Sequence, residues 1–255
     1  MPVSTILGPH DVHVWCRATG DGDTLDACET DLSDLSSDEH ARCARFAFAR
    51  DRRDFAAAHA LLRTRLSQYA DVSPAAWTFD ALPGGKPFIV SASGAPTLAF
   101  NVSHTHGFVA CAIAAGGEVG IDVESVDRAT DGQRIAARYF SKAESDWLDA
   151  CDARERAIRF IELWTLKEAC VKAVGRGLSQ PLNGFGFAFE GERHIRFSPP
   201  PDTQASAWTF ALFAPSARYR MAVAVRATPS ARGSIAARSA DGTVTEAIRE
   251  SEGRM

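Results

Sequence analysis

Residues 119–124 read Val-Gly-Ile-Asp-Val-Glu, and the rest of the chain is best interpreted from this short motif. On a strand, successive side chains point to opposite faces, so Asp122 and Glu124 share one face while Ile121 and Val123 face a core. Two carboxylates about 6–7 Å apart repel each other unless a cation or water separates them. The motif therefore predicts either a solvated edge strand or part of a site for a hard cation such as Mg²⁺.

A second motif, at residues 164–172, reads Trp-Thr-Leu-Lys-Glu-Ala-Cys-Val-Lys. In a helix, Trp164, Glu168 and Lys172 lie on one face together with Ile161. An acid and a base beside apolar side chains are unfavourable to bury unless another group neutralises them. The two residues therefore form either a simple ion pair at the rim of the core, which contributes a few tenths of a kcal/mol, or part of a functional site.

Polar residues interrupt two apolar strands at residues 100–107, Phe-Asn-Val-Ser-His-Thr-His-Gly. We expect a bend here that exposes Ser103 and His104 as donors to phosphate. His104 and His106 have the spacing of a zinc pair, but a third ligand at a suitable spacing is lacking in the sequence, which disfavours zinc. His106 is better interpreted as an ordinary loop residue.

Lysine is rare in this chain, and its positions are informative. Four of the 28 basic residues are lysines, and three of these, Lys86, Lys167 and Lys172, lie in short motifs. Lys86 belongs to the turn Pro-Gly-Gly-Lys-Pro at residues 83–87. In an arginine-rich chain this pattern indicates positions that require a compact ammonium group.

Hydrophobic periodicity predicts a mixed α+β chain. Strands are expected at residues 3–16, 97–102, 108–115, 119–124, 185–189, 208–213 and 219–225, and helices at 51–69, 128–150 and 154–174. A shift of 105 residues places Ser-Ser-Asp-Glu at 36–39 on Ser-Lys-Ala-Glu at 141–144. This faint repeat predicts two similar halves with a site at their interface.

Composition limits the classes of protein that the chain can represent. The 255 residues are 45% hydrophobic with a net charge of −4, which excludes wholesale disorder and disfavours nucleic acid as a partner. A membrane span and a signal peptide are not expected. The six cysteines are scattered, which favours free thiols in a reducing cytosol. Residues 229–255 are rich in Ala, Ser, Arg, Gly and Glu and are expected to be a flexible tail.

Several motifs together resemble one family, the 4′-phosphopantetheinyl transferases of the larger, monomeric, surfactin-type class. They are Phe-Asn-Val-Ser-His, Val-Gly-Ile-Asp-Val-Glu, Phe-Ser-Lys-Ala-Glu, Trp-Thr-Leu-Lys-Glu-Ala-Cys-Val-Lys-Ala-Val-Gly-Arg-Gly-Leu and Gly-Gly-Lys-Pro. The resemblance covers about residues 35–225. It implies an α+β fold with two similar α/β halves related by pseudo-twofold symmetry, at residues 1–117 and 118–228.

The resemblance also implies a cytoplasmic, monomeric enzyme that acts on coenzyme A and an apo acyl or peptidyl carrier protein. Such enzymes transfer the phosphopantetheine group to a carrier serine and release adenosine 3′,5′-bisphosphate. Asp122, Glu124 and Glu168 would bind Mg²⁺, and Glu168 would also be the general base. Lys172 would stabilise charge on the reacting phosphate.

The same resemblance assigns the coenzyme A site. Ser103 and His104 match the family's phosphate-binding pair, and His104 would also be a catalytic residue. Lys86 matches the family's turn lysine near the nucleotide. Arg42 is assigned to the 3′-phosphate. Other arginines near Arg42 are alternatives for that role: Arg45, Arg50, Arg52, Arg53 and Arg63.

Two other functions use the same residues. The carboxylates could activate water, which would make the protein a Mg²⁺-dependent hydrolase of coenzyme A or of the holo carrier. A duplicate without activity could bind carrier proteins without modifying them, but degraded motifs would be expected in that case, and these motifs are intact.

Overall fold

Two β-sheets and two long helices form the framework of the chain. The computed structural model describes residues 7–8, 11–20, 31–90, 97–175, 180–201, 203–226, 235–239, 244–245 and 247–251. The helices are α1 (Ser37–Cys43), α2 (Ala49–Leu66), α3 (Gly132–Tyr139), α4 (Lys142–Ala150) and α5 (Ala153–Val174). Short 3₁₀ turns lie at Pro74–Ala76, Val126–Asp131, Leu182–Gly184 and Ala205–Ala207. The predicted α+β class is confirmed.

The strands fall into two main sheets and one hairpin. They are β1 (Val12–Ala18), β2 (Phe79–Ala81), β3 (Pro87–Ile89), β4 (Ala99–Thr105), β5 (Phe108–Ala114), β6 (Glu118–Ser125), β7 (Gly186–Glu190), β8 (His194–Ser198), β9 (Trp208–Phe213), β10 (Tyr219–Arg226), β11 (Ile235–Ser239), β12 (Val244–Thr245) and β13 (Ala247–Glu250). The first sheet has the order β12-β11-β1-β5-β4 and the second β6-β10-β9-β13-β8-β7, while β2 and β3 form the hairpin.

Side-chain alternation on the strands builds four layers in the order helix, sheet, sheet, helix. Cys111 and Ile113 of β5 pack with α2, whereas Ala110 and Ala112 face the second sheet. In the second sheet, Ile121 and Val123 face the first sheet and are fully buried. The opposite face of the second sheet packs against α5. Asp122 and Glu124 therefore lie on the side of β6 that faces the helix with the second motif.

In each half, the glutamate of a capping box pairs with a basic side chain of the long helix. Ser36 and Glu39 form a capping box at the start of α1, and Glu39 also accepts a hydrogen bond from Arg63 of α2 at 2.7 Å. In the second half, Ser141 and Glu144 form a capping box on α4, and Glu144 binds Lys167 of α5 at 2.9 Å. The faint sequence repeat thus corresponds to a shared structural device. The boundary at 117/118 stays a prediction.

The helix predicted over residues 128–150 is interrupted. Val126–Asp131 is a 3₁₀ turn, α3 ends at Tyr139, and α4 begins at Lys142. The break follows from local chemistry, because Phe140 is extended and buried and Ser141 is the N-cap of the next helix. The range predicted to be helical therefore contains a 3₁₀ turn and two short helices.

The prediction of a flexible tail over residues 229–255 was wrong for the part that the structure describes. β11 pairs in parallel with β1, and β13 pairs with β9 and β8. Edge strands present unpaired backbone groups, and these can pair with a segment of almost any composition. Arg249 adds side-chain contacts, because it donates to Gly191 O at 3.0 Å and its guanidinium lies over the Phe189 ring. The C-terminal segment therefore joins both sheets.

Among the helices in the described ranges, none has both the length and the apolar character of a membrane span.

Gly120 allows the close approach of β6 and α5 that the site requires. A Cβ atom at this position would lie 2.0 Å from Ala169 O and 2.4 Å from Ala173 N. Both are backbone atoms of the helix and cannot rotate away. A side chain at residue 120 must therefore move α5 away from the strand that carries Asp122.

We expect Gly120→Ala to lower the free energy of unfolding by about 3 kcal/mol, the upper end of the usual range for overpacking. Denaturant titration followed by circular dichroism measures the change. Gly184→Ala is the matched control, because a Cβ atom at Gly184 meets nothing within 4 Å. Equal stabilities of the two variants would contradict the role assigned to Gly120.

Candidate active site

A cleft of about 420 Å³ lies between β4, β6 and α5. It brings together six of the predicted site residues and two apolar neighbours. They are Ser103, His104, Asp122, Glu124, Glu168 and Lys172, with Val102 and Trp164. Residues from both main sheets and from α5 thus line one opening.

Asp122 is buried and is held through one of its two oxygens. Its Oδ1 atom accepts hydrogen bonds from Lys172 Nζ at 2.6 Å and from Ser103 Oγ at 3.0 Å. Its Oδ2 atom is buried and has no hydrogen-bond partner among the described residues. A buried carboxylate oxygen is unfavourable without a partner, so Oδ2 is suited to a ligand that the protein alone does not supply. The alternative of a solvated edge strand was wrong for this residue.

Glu124 is held by one buried hydroxyl and one exposed arginine. Thr105 Oγ1 donates to Glu124 Oε2 at 2.9 Å, and Arg128 reaches both carboxylate oxygens at 2.8 Å. The side chain of Arg128 is 64% exposed, so this ion pair is weakly held and can open. Burial and the neighbouring Asp122 raise the pKa of Glu124 above its ordinary value.

Glu168 reaches the cleft from α5 and is partly exposed to it. Burial is the main cause that raises its pKa, and the negative charge of Asp122 raises the pKa further. The ammonium of Lys172, one helical turn away, acts in the opposite direction. Lys172 itself binds Asp122 rather than forming the simple Glu–Lys pair that the helix spacing allowed.

The three acids share the cleft but do not form a ready-made metal cluster. In the described part of the chain, no group of three His, Cys, Asp or Glu side chains is close enough to hold an ion as it stands. Lys172 and Arg128 bind two of the carboxylates instead. The carboxylate oxygens nevertheless fit a hard cation in type, and the free Asp122 Oδ2 offers a ligand atom.

A turn does lie within residues 100–107, and His104 is exposed as predicted, but the predicted exposure of Ser103 was wrong. β4 continues to Thr105, and the turn follows at His106 and Gly107, where Gly107 has a φ of 82°. Ser103 is therefore buried, while His104 points to the opposite side of the strand and is exposed at the cleft. Surrounding protein atoms partly desolvate the His104 ring and lower its pKa, which favours the neutral imidazole.

Lys86 and Arg42 do not line the acid cleft. Lys86 Nζ donates to Val119 O at 3.0 Å and to Ala173 O at 2.6 Å, so it ties the β2–β3 hairpin to the end of α5. Arg42 lies on α1, and its guanidinium is 5.3 Å from the centre of the Phe55 ring. Their contacts with coenzyme A stay predictions.

The arginines considered as alternatives to Arg42 differ in their exposure to solvent. Arg63 is buried and binds Glu39, Pro74 O and Trp77 O. Arg53 is also buried, and it donates to Gly20 O at 2.8 Å. Arg45 is exposed and lines a second open cleft together with Arg42. Exposure therefore favours Arg42 or Arg45 over the two buried arginines as the candidate for the 3′-phosphate.

Lys167 lies inside the fold and does not line the cleft. Its ammonium is fully buried, binds Glu144, and donates to Leu182 O and Phe185 O at 2.8 Å. The compact ammonium predicted for this position is therefore used inside the fold and not in the cleft. Helix geometry explains the outcome, because Lys167 is adjacent to Glu168 and so points about 100° away from it.

Sequence reasoning did not identify Asn101, Thr105 or Arg128 as parts of the site. Asn101 and Thr105 lie two residues on either side of Ser103, so strand periodicity places all three on one face. Arg128 follows Glu124 by four residues in a 3₁₀ turn. The first two positions could have been found from periodicity, whereas the Arg128 contact depends on the turn.

Comparisons with known proteins agree with these motifs. A model of the 4′-phosphopantetheinyl transferase superfamily matches residues 118–224, and a model of the N-terminal part of 4′-phosphopantetheinyl transferase matches residues 24–116. The chain is 34% identical over 183 residues to the 4′-phosphopantetheinyl transferase HetI of Nostoc, covering 70% of this chain and 75% of that protein. It is 30% identical over 169 residues to the 4′-phosphopantetheinyl transferase Sfp of Bacillus subtilis, covering 66% and 73%.

A solved structure also matches part of the chain. The holo-[acyl-carrier-protein] synthase of Thermotoga maritima aligns with 22% identity and a TM-score of 0.37, over 44% of this chain and 63% of that one. The HetI relationship extends over most of that relative, and the two family models match consecutive parts of this chain. The chain belongs to the 4′-phosphopantetheinyl transferase family.

Proposed function

We propose that the cleft between β4, β6 and α5 is the catalytic site of this transferase. The enzyme moves the 4′-phosphopantetheine group of coenzyme A to a serine of an apo carrier protein. In this reaction the serine oxygen forms a bond to phosphorus, and the bond to the departing adenosine 3′,5′-bisphosphate breaks. The observation that carries the assignment is the convergence of Asp122, Glu124, Glu168 and Lys172 on one cleft.

Asp122, Glu124 and Glu168 are the residues that would hold Mg²⁺. Their oxygens are the hard donors that this ion prefers, and Asp122 Oδ2 is buried without a partner among the described residues. When bound, the ion would neutralise charge on the diphosphate of coenzyme A. Arg128 is exposed enough to release Glu124 for this purpose.

Glu168 is proposed as the general base. Its carboxylate lies at the cleft, and a bound Mg²⁺ would keep it ionised and therefore able to accept the proton of the carrier serine. Because Glu168 faces the cleft from α5, a serine hydroxyl placed in the cleft could give it this proton. No side chain of this chain needs to be the nucleophile, since the serine belongs to the partner.

Lys172 and His104 are proposed to contact the phosphates. The Lys172 ammonium already lies in the cleft, 2.6 Å from Asp122 Oδ1, and can balance negative charge on the reacting group. The neutral imidazole of His104 has a nitrogen that can donate a hydrogen bond at the mouth of the cleft. We propose Arg42 for the 3′-phosphate and Lys86 for the nucleotide side of the site.

Two broader properties are also proposed. The described cysteines Cys111, Cys151 and Cys170 are free thiols, which supports a cytoplasmic enzyme. Because one chain supplies both β4 and β6 to the cleft, the site does not require a second copy, which supports a monomer. Light scattering of the purified protein measures the oligomeric state.

We expect several apo carrier proteins, incubated with the enzyme, coenzyme A and Mg²⁺, to gain the mass of one phosphopantetheine group. Intact-mass spectrometry measures the product. Omission of the enzyme and addition of EDTA are the controls, and both should leave the carrier unmodified. Consumption of coenzyme A at the same rate without any carrier would support the hydrolase alternative and contradict this function.

A further inference from the structure

We propose that Ser103 and Thr105 are positioning residues that aim the two strand carboxylates, Asp122 and Glu124, into the cleft. The inference rests on the metal site proposed above. It assigns Ser103 a different role from direct phosphate binding and gives Thr105 a role in the reaction. The structural basis is a row of hydrogen bonds, here called the β4 ladder, formed by the side chains of Asn101, Ser103 and Thr105.

The β4 ladder connects β4, at the edge of the first sheet, to β6, at the edge of the second. Asn101 Oδ1 accepts a hydrogen bond from Ile121 N at 2.9 Å, and Ser103 Oγ accepts one from Val123 N at 3.2 Å. Thr105 Oγ1 donates to Glu124 at 2.9 Å. The residue numbers of the bonded partners increase together along both strands, so β4 and β6 run in the same direction. The side-chain oxygens of Asn101 and Ser103 thus accept backbone hydrogen bonds as carbonyls do in an ordinary sheet, whereas Thr105 donates to a side chain.

Ser103 uses the full hydrogen-bonding capacity of its hydroxyl. A serine hydroxyl has one donor and two acceptor positions. Ser103 Oγ donates to Asp122 Oδ1 and accepts from Val123 N and Lys172 Nζ, both within 3.2 Å. It is also buried, so no position is left for a phosphate oxygen. Because Oδ1 is held in this way, the orientation of Asp122 Oδ2 is fixed.

Thr105 holds the carboxylate of Glu124 as Ser103 holds that of Asp122. Its side chain is buried, and its hydroxyl donates to Glu124 Oε2. The other group that contacts this carboxylate, Arg128, is exposed and bound to both oxygens. If Arg128 leaves, Thr105 still fixes the carboxylate. The exposed contact can therefore open while the buried one maintains the geometry.

Asn101 provides an internal comparison within the same ladder. It is buried like the other two residues, and its hydrogen bond to Ile121 N connects the sheets in the same way. Its side-chain amide bonds to the backbone of β6 and not to Asp122 or Glu124. Changing Asn101 should therefore disturb the sheet connection alone, whereas changing Ser103 or Thr105 should also disturb a carboxylate.

Binding of Mn²⁺ alone tests the proposal, because the decrease of its free-ion EPR signal measures affinity without activity. We expect Ser103→Ala and Thr105→Val to raise the Mn²⁺ Kd by about 10- to 100-fold, the usual effect of losing a group that orients a ligand. Thr105→Ser keeps the hydroxyl and should restore the affinity. Asn101→Ala should lower the melting temperature but leave the Kd within about twofold of wild type.

The outcomes separate this inference from the proposed metal site. If the wild-type protein does not bind Mn²⁺, the metal site itself is wrong. If the wild type binds and both Ser103→Ala and Thr105→Val bind equally well, the positioning role is overturned. A loss of affinity in Asn101→Ala as large as in Thr105→Val would overturn it too, since general loosening would then explain the effect. Thr105→Val is nearly isosteric and decides the result if Ser103→Ala does not fold.

Discussion

Replacing Glu168 by Gln is expected to lower kcat for carrier modification about 10³-fold, within the range for loss of a general base. Glutamine keeps the size of the side chain but cannot accept the proton of the carrier serine. It also removes one of the three carboxylates proposed to hold the divalent ion. Initial rates of holo-carrier formation, measured by chromatography over a range of coenzyme A and carrier concentrations, give kcat and KM separately.

Stability should change in the opposite direction to activity. Burial and Asp122 raise the pKa of Glu168 in the folded protein, so the folded state binds its proton more tightly than the unfolded state. Such a carboxylate lowers stability as pH rises from its unfolded pKa through its folded pKa. Without metal at neutral pH, Glu168→Gln should therefore be at least as stable as wild type, and this difference should fade as the pH falls below about 4.3, the ordinary glutamate value.

Glu155→Gln is the matched control for this variant. Glu155 lies on the same helix, but it is exposed and pairs with Arg159 near the N-terminus of α5. Its replacement should leave kcat within about twofold, as for surface substitutions away from a site. If Glu168→Gln were as active as Glu155→Gln, Glu168 could be neither the base nor a required metal ligand.

The chemistry-bearing residues could largely be predicted because their signals are local. Alternation in residues 119–124 placed Asp122 and Glu124 on one side of a strand, and helix spacing placed Glu168 and Lys172 on one face. What the sequence did not reveal was how the two faces meet. The contact between Lys172 and Asp122 joins residues 50 positions apart, and nothing in either motif alone specifies it.

Other features were missed because tertiary structure overrides local composition. The strand β8 is short and contains His194 and Arg196, so its pattern is weak, and it forms because β7 and β13 supply backbone partners. The C-terminal strands form for the same reason. Conversely, the polar residues in the stretch 100–107 indicated that Ser103 is exposed, but β6 lies beside β4 and satisfies the side chains at 101, 103 and 105.

Lys167 shows how a motif residue can be required for the fold rather than for the reaction. Its ammonium lies 5.1 Å from the centre of the Phe140 ring and 4.6 Å from that of Phe185. Burial lowers the pKa of Lys167 below its ordinary value, and the nearby carboxylate of Glu144 offsets only part of this effect. Glu144 in turn accepts a hydrogen bond from Phe187 N at 2.8 Å. The ion pair therefore connects α4 and α5 to β7 and to the loop before it.

Lys167→Met should lower the free energy of unfolding by about 3–5 kcal/mol, the usual effect of removing one partner from a buried ion pair. Methionine fills a similar volume, but it leaves Glu144 charged and buried, and it leaves the carbonyls of Leu182 and Phe185 without this donor. Denaturant titration measures the loss.

The control for Lys167→Met is Lys142→Ala. Lys142 pairs with Asp146 on the surface, where the two side chains are 87% and 62% exposed, so the change should be below about 1 kcal/mol. The double variant Lys167→Met/Glu144→Gln should recover part of the stability, because no buried charge then lacks a partner. Equal, small losses for Lys167→Met and Lys142→Ala would mean that the buried pair does not support the fold.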